Sequence, residues 1–266
     1  MKKVLSLILA IVMLSCIFVG CAQTDDDGAA STTAATTVAT TEAKKPVLKM
    51  ATNAYFKPYE YYEGEKIVGI DAEIAAAIAD YLGMELVIED MEFDSIITAV
   101  KEGSVDFGMA GMTVTEDRLV DINFTNSYAT GVQSIIVKEG SAITSVDDLY
   151  AEGASYKVGV QLGTTGDIYS TDDFGDENVT RYSNGNNAVL GLIGGSVDCV
   201  IIDNEPAKAL VAANSGLKIL ETSYADEDYA ICVAKENNEL LAKLNEAIVA
   251  LTANGKIDEI VAKYIK

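Results

Sequence analysis

The chain has 266 residues, with 41 acidic against 19 basic side chains and a formal net charge of −22 at pH 7. This acidic excess argues against nucleic acid as a partner, because phosphate backbones are bound by clustered lysine and arginine. The sequence contains no histidine. The commonest general base and the commonest metal ligand are therefore missing, and we expect no metal and no cofactor.

The first 20 residues are predicted to be a secretory signal peptide. Lys2 and Lys3 precede an apolar run that is short for a membrane-spanning helix. The run ends at Gly20-Cys21, which is typical of a lipoprotein processing site. We expect cleavage before Cys21 and attachment of a lipid anchor, with palmitate, to the Cys21 thiol. The alternative is ordinary cleavage, which would release a free secreted protein.

Residues 21–45 are predicted to be a disordered linker. They contain three consecutive aspartates and a Ser/Thr/Ala-rich tract with almost no large apolar side chains, so they cannot bury enough surface to fold. We expect the folded body to begin at Pro46. Its length suits one large domain or two lobes.

The first part of the body alternates strand and helix patterns. Strands are predicted over 47–52, 86–88 and 107–109, and helices over 71–81 and from Asp94, as N-cap, to Gly103. Gly83 is expected to end the first helix. This alternation favours parallel sheets with helical crossovers.

The pattern continues to the end of the chain. Strands are predicted over 135–137, 157–160, 199–202, 219–220 and 229–234, and helices over 186–193, 205–213, 239–253 and 257–264. Ser145 with Asp148 predicts a capping box. Cys199 and Cys232 have apolar neighbours and are predicted to be buried thiols, with a disulfide as the alternative.

A short repeat divides the body. Residues 103–106 and 195–198 both read Gly-Ser-Val-Asp, and each follows a predicted helix and leads into a predicted strand. Ligands in open α/β sheets bind beyond the carboxyl ends of the strands. Two such lobes would form a cleft, unless the repeat is a coincidence between two helix-to-strand connections.

Two charged residues would face this cleft. Arg118 is one of only two arginines in the chain, the other being Arg181, and its planar fork of donors fits a carboxylate. Asp203 follows an apolar strand and supplies an anion. The segment 163–166 (Gly-Thr-Thr-Gly) adds backbone N–H groups. A free α-amino acid would satisfy all three groups.

The alternatives are ordinary structural roles. Arg118 could instead pair with Glu116, Asp117 or Asp121 on a solvated face. Asp203 could act as a helix cap.

Five segments together resemble one protein family. They are residues 52–60, 68–73, 110–118, 159–165 and 198–207. In this order and spacing they are similar to the extracellular solute-binding proteins of amino-acid ABC transporters, family 3, polar amino acid type. The resemblance covers residues 47–266.

The resemblance implies a two-lobed α/β fold of the type II periplasmic-binding-protein class. Each lobe would be a mainly parallel sheet flanked by helices, with the ligand in the interlobe cleft. Lobe 1 would comprise residues 46–130 and 230–266, and lobe 2 residues 131–229. The chain would cross between them near 130–133 and 228–231.

The resemblance also implies a role for each matching residue. Arg118 would bind the ligand α-carboxylate together with the backbone N–H groups of Thr113 and Thr165. The α-ammonium would meet Asp203, the Gly111 carbonyl and the Thr113 hydroxyl.

The ligand side chain would lie between Phe56 and Phe93, with Tyr55 as the alternative to Phe56. Asn53 stands where relatives that bind cationic ligands have Asp, and Gln161 stands where some relatives have a charged residue. Both favour a neutral polar amino acid such as glutamine.

The implied activity is capture by hinge closure and delivery to a membrane permease. The protein would be a monomer, not an enzyme, lipid-anchored on the extracellular or periplasmic face of the cell membrane. One alternative is an enzyme resembling cyclohexadienyl dehydratases, for which Glu60, Glu92 and Glu205 are the available acids. Another is a surface lipoprotein that senses the ligand.

Overall fold

The computed structural model describes residues 44–265. The predicted signal peptide, Cys21 and nearly all of the predicted linker lie outside the described residues. Within them no helix has both the length and the apolar character needed to cross a bilayer.

Strands and helices are interspersed along the described chain as far as Ala234, and two further helices follow. The strands are β1 Val47–Thr52, β2 Tyr55–Phe56, β3 Glu60–Glu63, β4 Lys66–Val68, β5 Glu85–Asp90, β6 Phe107–Gly108, β7 Ile122–Phe124, β8 Ala129–Lys138, β9 Val158–Gln161, β10 Val179–Tyr182, β11 Cys199–Asp203, β12 Leu217–Ile219, β13 Ala225–Tyr229 and β14 Cys232–Ala234. The helices are α1 Ile70–Tyr81, α2 Ile96–Lys101, α3 Glu116–Asp121, α4 Thr165–Phe174, α5 Gly185–Gly194, α6 Asn204–Ala213, α7 Asn238–Ala253 and α8 Lys256–Tyr264.

The first lobe is built on a sheet with the strand order β5-β1-β6-β14-β7. β1 runs parallel to β5 and β6, whereas β14 is antiparallel to both of its neighbours. The apolar stripe of α1 packs with α7 and α8 in a cluster that includes Ile74, Leu244 and Ile260. A second cluster, with Ile96 and Val100 of α2, also includes Ala51 of β1 and Cys232 of β14.

The second lobe is built on a sheet with the order β10-β9-β11-β8-β12, and β13 also pairs with β8. β9, β10 and β11 are parallel to one another, and β8 is antiparallel to β11, β12 and β13. Successive residues of β11 contribute to two separate clusters, Ile201 to one and Val200 to the other. The chain is therefore α/β and two-lobed, with mixed sheets.

The two segments predicted to cross between the lobes lie side by side. They fall at the start of β8 and at the end of β13, where Thr130 pairs with Asp228 and Ala129 with Tyr229. After Tyr229 the chain leaves this pairing, and Cys232 joins the first sheet. The single strand predicted over 229–234 is wrong for this reason.

Several local predictions are confirmed and one is wrong. Gly83 follows the end of α1 with a φ of 70°, and Ser145 and Asp148 form both halves of a capping box. Asp94 does not cap α2, because it lies inside a 3-10 turn over Phe93–Ser95 and Ser95 occupies the N-cap position.

The two cysteines are buried free thiols, as predicted. Cys199 lies in the second sheet and Cys232 in the first. Burial raises the pKa of each thiol to about 12, so neither is a reactive thiolate at neutral pH.

Candidate functional site

A cavity of about 320 Å³ lies where the strand ends of the two sheets meet. Its lining residues are Asn53, Phe56, Glu60, Phe93, Ala110, Gly111, Thr113, Arg118, Gln161, Thr164, Thr165 and Asp203. The structure therefore brings together every residue that the sequence predicts to bind ligand, and their individual roles stay predictions.

Arg118 is held by backbone carbonyls and not by acids. The Thr115 hydroxyl caps α3 by accepting the Arg118 backbone N–H at 3.2 Å, and the side chain is 7% exposed. Its Nη1 donates to the Thr113 carbonyl at 2.7 Å and its Nη2 to the Gly163 carbonyl at 3.0 Å. The guanidinium carbon lies 5.5 Å from the centre of the Phe93 ring.

No carboxylate within residues 44–265 forms a salt bridge with Arg118. The alternative of pairing with Glu116, Asp117 or Asp121 is therefore wrong, and Asp121 pairs with Lys101 instead. Burial lowers the pKa of Arg118 from its ordinary value, while the Glu227 carboxylate acts in the opposite direction. An arginine nonetheless remains charged. The cavity thus contains a buried cation whose charge no ion pair neutralises.

Asp203 stands at a helix start and lines the cavity. It ends β11 and occupies the N-cap position of α6, but its side chain makes no capping hydrogen bond. Gln133 Nε2 donates to Asp203 Oδ2 at 2.8 Å. Burial raises the pKa of Asp203 well above its ordinary value, and the nearby Glu227 carboxylate raises it further.

Asn53 and Gln161 form a contact across the cleft. Gln161 Nε2, at the end of β9, donates to Asn53 Oδ1 at 2.9 Å. The Asn53 amide in turn donates to the Met91 carbonyl at 2.8 Å. Both ends of the Asn53 side chain are therefore already occupied by protein groups.

The cavity wall at Gly111 requires a glycine. Its φ is 53°, and a Cβ there would lie 2.7 Å from Phe56 Cε1. Asp71 holds this turn, because its Oδ2 accepts the Gly111 N–H at 2.8 Å and the Tyr128 hydroxyl at 2.7 Å. Burial raises the pKa of Asp71 to about 6, and these hydrogen bonds limit the rise. Tyr55 is 47% exposed and does not line the cavity.

The segment after β9 is organised as a helix start. The Thr164 hydroxyl accepts the Asp167 N–H at 3.3 Å, and Asp167 Oδ2 accepts the Gly163 N–H at 3.0 Å. Thr165 is the first residue of α4 and is 3% exposed. This geometry turns the Gly163 carbonyl toward Arg118 and places Thr164 and Thr165 in the cavity wall.

Sequence reasoning assigned no individual ligand-binding role to several residues of the site, although it named Glu60 as an available acid and placed Ala110 and Thr164 inside segments that resemble the family. Glu60, Ala110 and Thr164 line the cavity, while Gln133 and Glu227 lie behind Asp203. A polar Gln133 inside the apolar strand β8 was a usable signal. Glu227 gave none, because it stands among the acidic residues of β13, of which Asp226 and Asp228 are exposed.

Glu60 is the most unusual of these residues. It is fully buried, and no donor group of the described chain binds either carboxylate oxygen. Burial raises the pKa of Glu60 well above its ordinary value, and the Asp71 carboxylate contributes in the same direction. The Glu60 carboxyl group thus lies in the cavity wall beside a second buried carboxyl group, that of Asp71.

Comparison with known proteins identifies relatives that share this architecture. The Arginine-binding extracellular protein ArtP of Bacillus subtilis (strain 168) is 32% identical over 231 residues, covering 84% of this chain and 88% of that protein. A structure of an ancestral arginine-binding protein bound to arginine is 36% identical with a TM-score of 0.77, and covers 84% of this chain and 100% of that one. A corresponding structure bound to glutamine gives the same identity and TM-score, covering 84% of this chain and 99% of that one.

One further neighbour relates to the enzymatic alternative. The ancestral amino acid-binding protein AncCDT-1, a precursor of cyclohexadienyl dehydratase, is 28% identical with a TM-score of 0.74, covering 83% of this chain and 96% of that one. The family description "Bacterial extracellular solute-binding proteins, family 3" matches residues 48–266. The chain therefore belongs to the family 3 bacterial extracellular solute-binding proteins.

Proposed function

We propose that this protein is the substrate-binding component of an amino-acid ABC importer. It captures a free L-amino acid in the cleft and delivers it to a membrane permease. The observation that carries the proposal is the charge arrangement of the cavity. Arg118 is buried without an ion-pair partner among residues 44–265, and the cavity wall also holds the buried carboxyl group of Asp203. A zwitterion supplies the complement of both groups.

The two α-groups of the ligand have separate partners in the cavity. The α-carboxylate binds the Arg118 guanidinium, supported by the backbone N–H groups of Thr113 and Thr165. The α-ammonium binds the Asp203 carboxylate, the Gly111 carbonyl and the Thr113 hydroxyl. All of these residues line the one cavity, which supports a single binding position.

The ligand side chain lies between Phe56 and Phe93. The sequence predicts a neutral polar side chain, because Asn53 replaces the Asp of cation-binding relatives. Glu60 favours a second candidate, a cationic side chain such as that of arginine, because its buried carboxyl group lacks donors. Both candidates share one chemistry: the ligand side chain donates hydrogen bonds into the cavity.

Closure around the ligand is proposed to occur at the paired segments of β8 and β13. Two hydrogen bonds already span the cleft, from Arg118 to the Gly163 carbonyl and from Gln161 to Asn53. A ligand that contacts both lobes favours the closed form by its differential affinity. The lobe boundaries at 130 and 230, and anchoring of the chain to the membrane through lipidated Cys21, are part of this proposal.

The dehydratase alternative has limited support in the site. Glu92 is exposed, and Glu205 pairs with Lys208 at 2.6 Å. Of the three acids considered, Glu60 alone lines the cavity. An assay of prephenate and arogenate dehydration tests this alternative directly.

A thermal-shift panel with the twenty amino acids tests the proposed function. The compact unit Lys44–Lys266 is unfolded and refolded first, to remove any amino acid bound during expression. A ligand at a thousand times its Kd stabilises the native state by roughly 4 kcal/mol, which for this size is a shift of about 10 °C. A shift of this size with one or a few amino acids supports the proposal. No shift with any of them would refute it.

A further inference from the structure

Behind the predicted ammonium site, two acidic side chains share one amide. Gln133 Nε2 donates to Asp203 Oδ2 at 2.8 Å and to Glu227 Oε2 at 2.9 Å. Asp203 is 7% exposed, Glu227 5% and Gln133 1%. The three side chains come from β11, β13 and β8, which are neighbours in the second sheet, so the backbone fixes their separation.

The remaining oxygens of the two acids lack donors. Asp203 Oδ1 and Glu227 Oε1 are buried, and no donor group of the described chain reaches them. Because the single nitrogen Gln133 Nε2 donates to an oxygen of each carboxyl group, the two groups lie close together. Two carboxylates cannot share a hydrogen bond unless one carries a proton, and two like charges this close disfavour double ionisation. The pair therefore has a place for one proton.

We propose that Asp203 and Glu227 hold one proton between them in the ligand-free protein and release it to solvent when Asp203 binds an α-ammonium group, so that amino-acid capture is coupled to proton release. The inference rests on the proposed function. The O–H bond of the pair breaks, the proton leaves to water, and the ammonium N–H takes its place as the donor to Asp203. Gln133 and Glu227 are positioning residues, since they act on the ligand through Asp203.

The charges around the pair determine the direction of the coupling. The groups that face it are Tyr59 and Glu60 of the first lobe, Arg118 of α3, Tyr169 of α4, Glu205 of α6 and Tyr229 at the end of β13. Arg118 is the only cation among these six. Without ligand, it faces a pair with one negative charge. A bound ammonium adds a second cation next to Asp203, which favours the doubly ionised pair.

The coupling has a measurable sign. Burial and the Glu227 carboxylate raise the pKa of Asp203 in the ligand-free protein, and the bound ammonium lowers it. The affinity for amino acid therefore rises with pH between the bound and the free pKa values, by up to about tenfold per pH unit, and is constant above them. A site without a shared proton gives a flat profile, because a free amino acid keeps its zwitterionic form across this range.

The test is isothermal titration calorimetry of the unit Lys44–Lys266 with L-glutamine and L-arginine. Each titration is repeated in two buffers of different ionisation enthalpy, from about pH 5 to about pH 8. The difference in heat gives the number of protons released per ligand bound. We expect a value approaching one at the acid end, with affinity increasing as pH rises. Binding without proton release overturns this inference alone, because it leaves the proposed function intact.

Three variants identify the source of the proton. Glu227→Gln keeps the shape and supplies its own donor to Asp203, so we expect binding without proton release and without pH dependence. Asp226→Asn, on the same strand but exposed, is the matched control and should behave as wild type. Glu60→Gln tests the other buried acid of the cavity.

If proton release on ligand binding persists in Glu227→Gln and disappears in Glu60→Gln, the assignment of the proton to the Asp203–Glu227 pair is overturned. If Glu227→Gln does not fold, the wild-type count still shows whether a proton is released, and loss of that release in Glu60→Gln would still overturn the assignment to the Asp203 pair. No heat with either amino acid, together with no thermal shift for any of the twenty, would instead refute the proposed function itself.

Discussion

The two Gly-Ser-Val-Asp segments are identical in sequence and make the same contacts, yet they lead to opposite charges. In the first, Asp106 Oδ2 accepts the backbone N–H of Lys49 at 2.7 Å, and in the second Asp198 Oδ2 accepts that of Lys157 at 2.8 Å. The central valine is 3% exposed in both. The strand after the first segment leads to the turn before Arg118, and the strand after the second ends at Asp203.

The comparison shows that the connections between helices and strands can be the same in both lobes while the charged residues beyond them differ. The repeated segment fixes how a helix returns to its sheet, because its Asp side chain accepts a backbone N–H of a lysine in both lobes, although the strands beyond it differ. The groups that we propose to face the ligand lie at or beyond the strand ends, where the backbone no longer constrains their identity. One lobe therefore presents a cation and the other an anion, which together suit a zwitterion.

The largest expected effect comes from the cation of the first lobe. Arg118→Lys keeps the charge but loses the planar fork that holds a carboxylate. We expect amino-acid affinity to fall by about 100-fold, the equivalent of one or two charge-assisted hydrogen bonds. Arg181→Lys is the control, because Arg181 is not among the residues that line the cavity and pairs instead with the buried Asp167 and the exposed Asp176. Calorimetry with the best amino acid of the panel measures both, and equal losses would contradict the assignment.

The second prediction concerns the pH dependence of stability that Asp71 produces. This acid accepts the Gly111 N–H in the cavity wall. The pKa of Asp71 is about 6 in the folded protein, raised by burial, so the native state binds more protons than the unfolded state between about pH 4 and pH 6. Stability should therefore fall as pH rises through this window, by up to about 3 kcal/mol from this group.

Asp71→Asn cannot titrate and still offers an acceptor to Gly111. Its urea-unfolding free energy, measured from about pH 4 to pH 7, should decline less than that of wild type. Some decline of the unfolding free energy with pH should remain in this variant, because the pKa of Glu60 is raised as well. An unchanged decline in the variant would contradict the account of Asp71.

The third prediction concerns the stability contributed by close packing at Gly131, in the segment where the chain passes between the lobes. A Cβ on Gly131 of β8 would overlap the Tyr229 side chain and lie 2.8 Å from Asp203 Oδ1. We expect Gly131→Ala to destabilise the fold by about 1–3 kcal/mol through overpacking and to weaken ligand binding. Gly194→Ala is the control, since nothing lies within 4 Å of a Cβ at that position. Thermal unfolding of the two variants should differ clearly, and equal transition temperatures would refute this interpretation of the joint.

The smallest effect tests the equivalence of the two segments. Asp106→Asn and Asp198→Asn each weaken one side-chain hydrogen bond to a backbone N–H. Each should cost about 1 kcal/mol of unfolding free energy and leave ligand affinity unchanged. A marked inequality between the two losses, measured by urea unfolding, would show that the repeat is not structurally equivalent.

The sequence was sufficient to predict the helices with strong periodicity and to name nine residues that the structure brings together in the wall of one cavity. These depend on local patterns and on residue types with few alternative uses, such as a rare arginine after a Gly-Met-Thr-Val-Thr segment. The small sheet of β2, β3 and β4 was missed, because its short strands carry exposed and charged residues.

Side-chain partners depended on contacts that sequence patterns do not encode. Gln133 donates a hydrogen bond to Glu227, although the two residues are 94 positions apart in the chain. Glu60 lies in a stretch of tyrosines and acids that resembles a solvated loop. Its complete burial results from the packing of a hairpin against the cleft, which no local pattern reveals.

The most direct test of the central claim uses one amino acid and two of its derivatives. The best ligand of the panel is titrated into the unit Lys44–Lys266 alongside its N-acetyl form, which removes the ammonium charge, and its α-carboxamide, which removes the carboxylate charge. If Arg118 and Asp203 together select a zwitterion, both derivatives should bind at least about 100-fold more weakly than the parent. Retention of affinity by either derivative would contradict this account of the cleft.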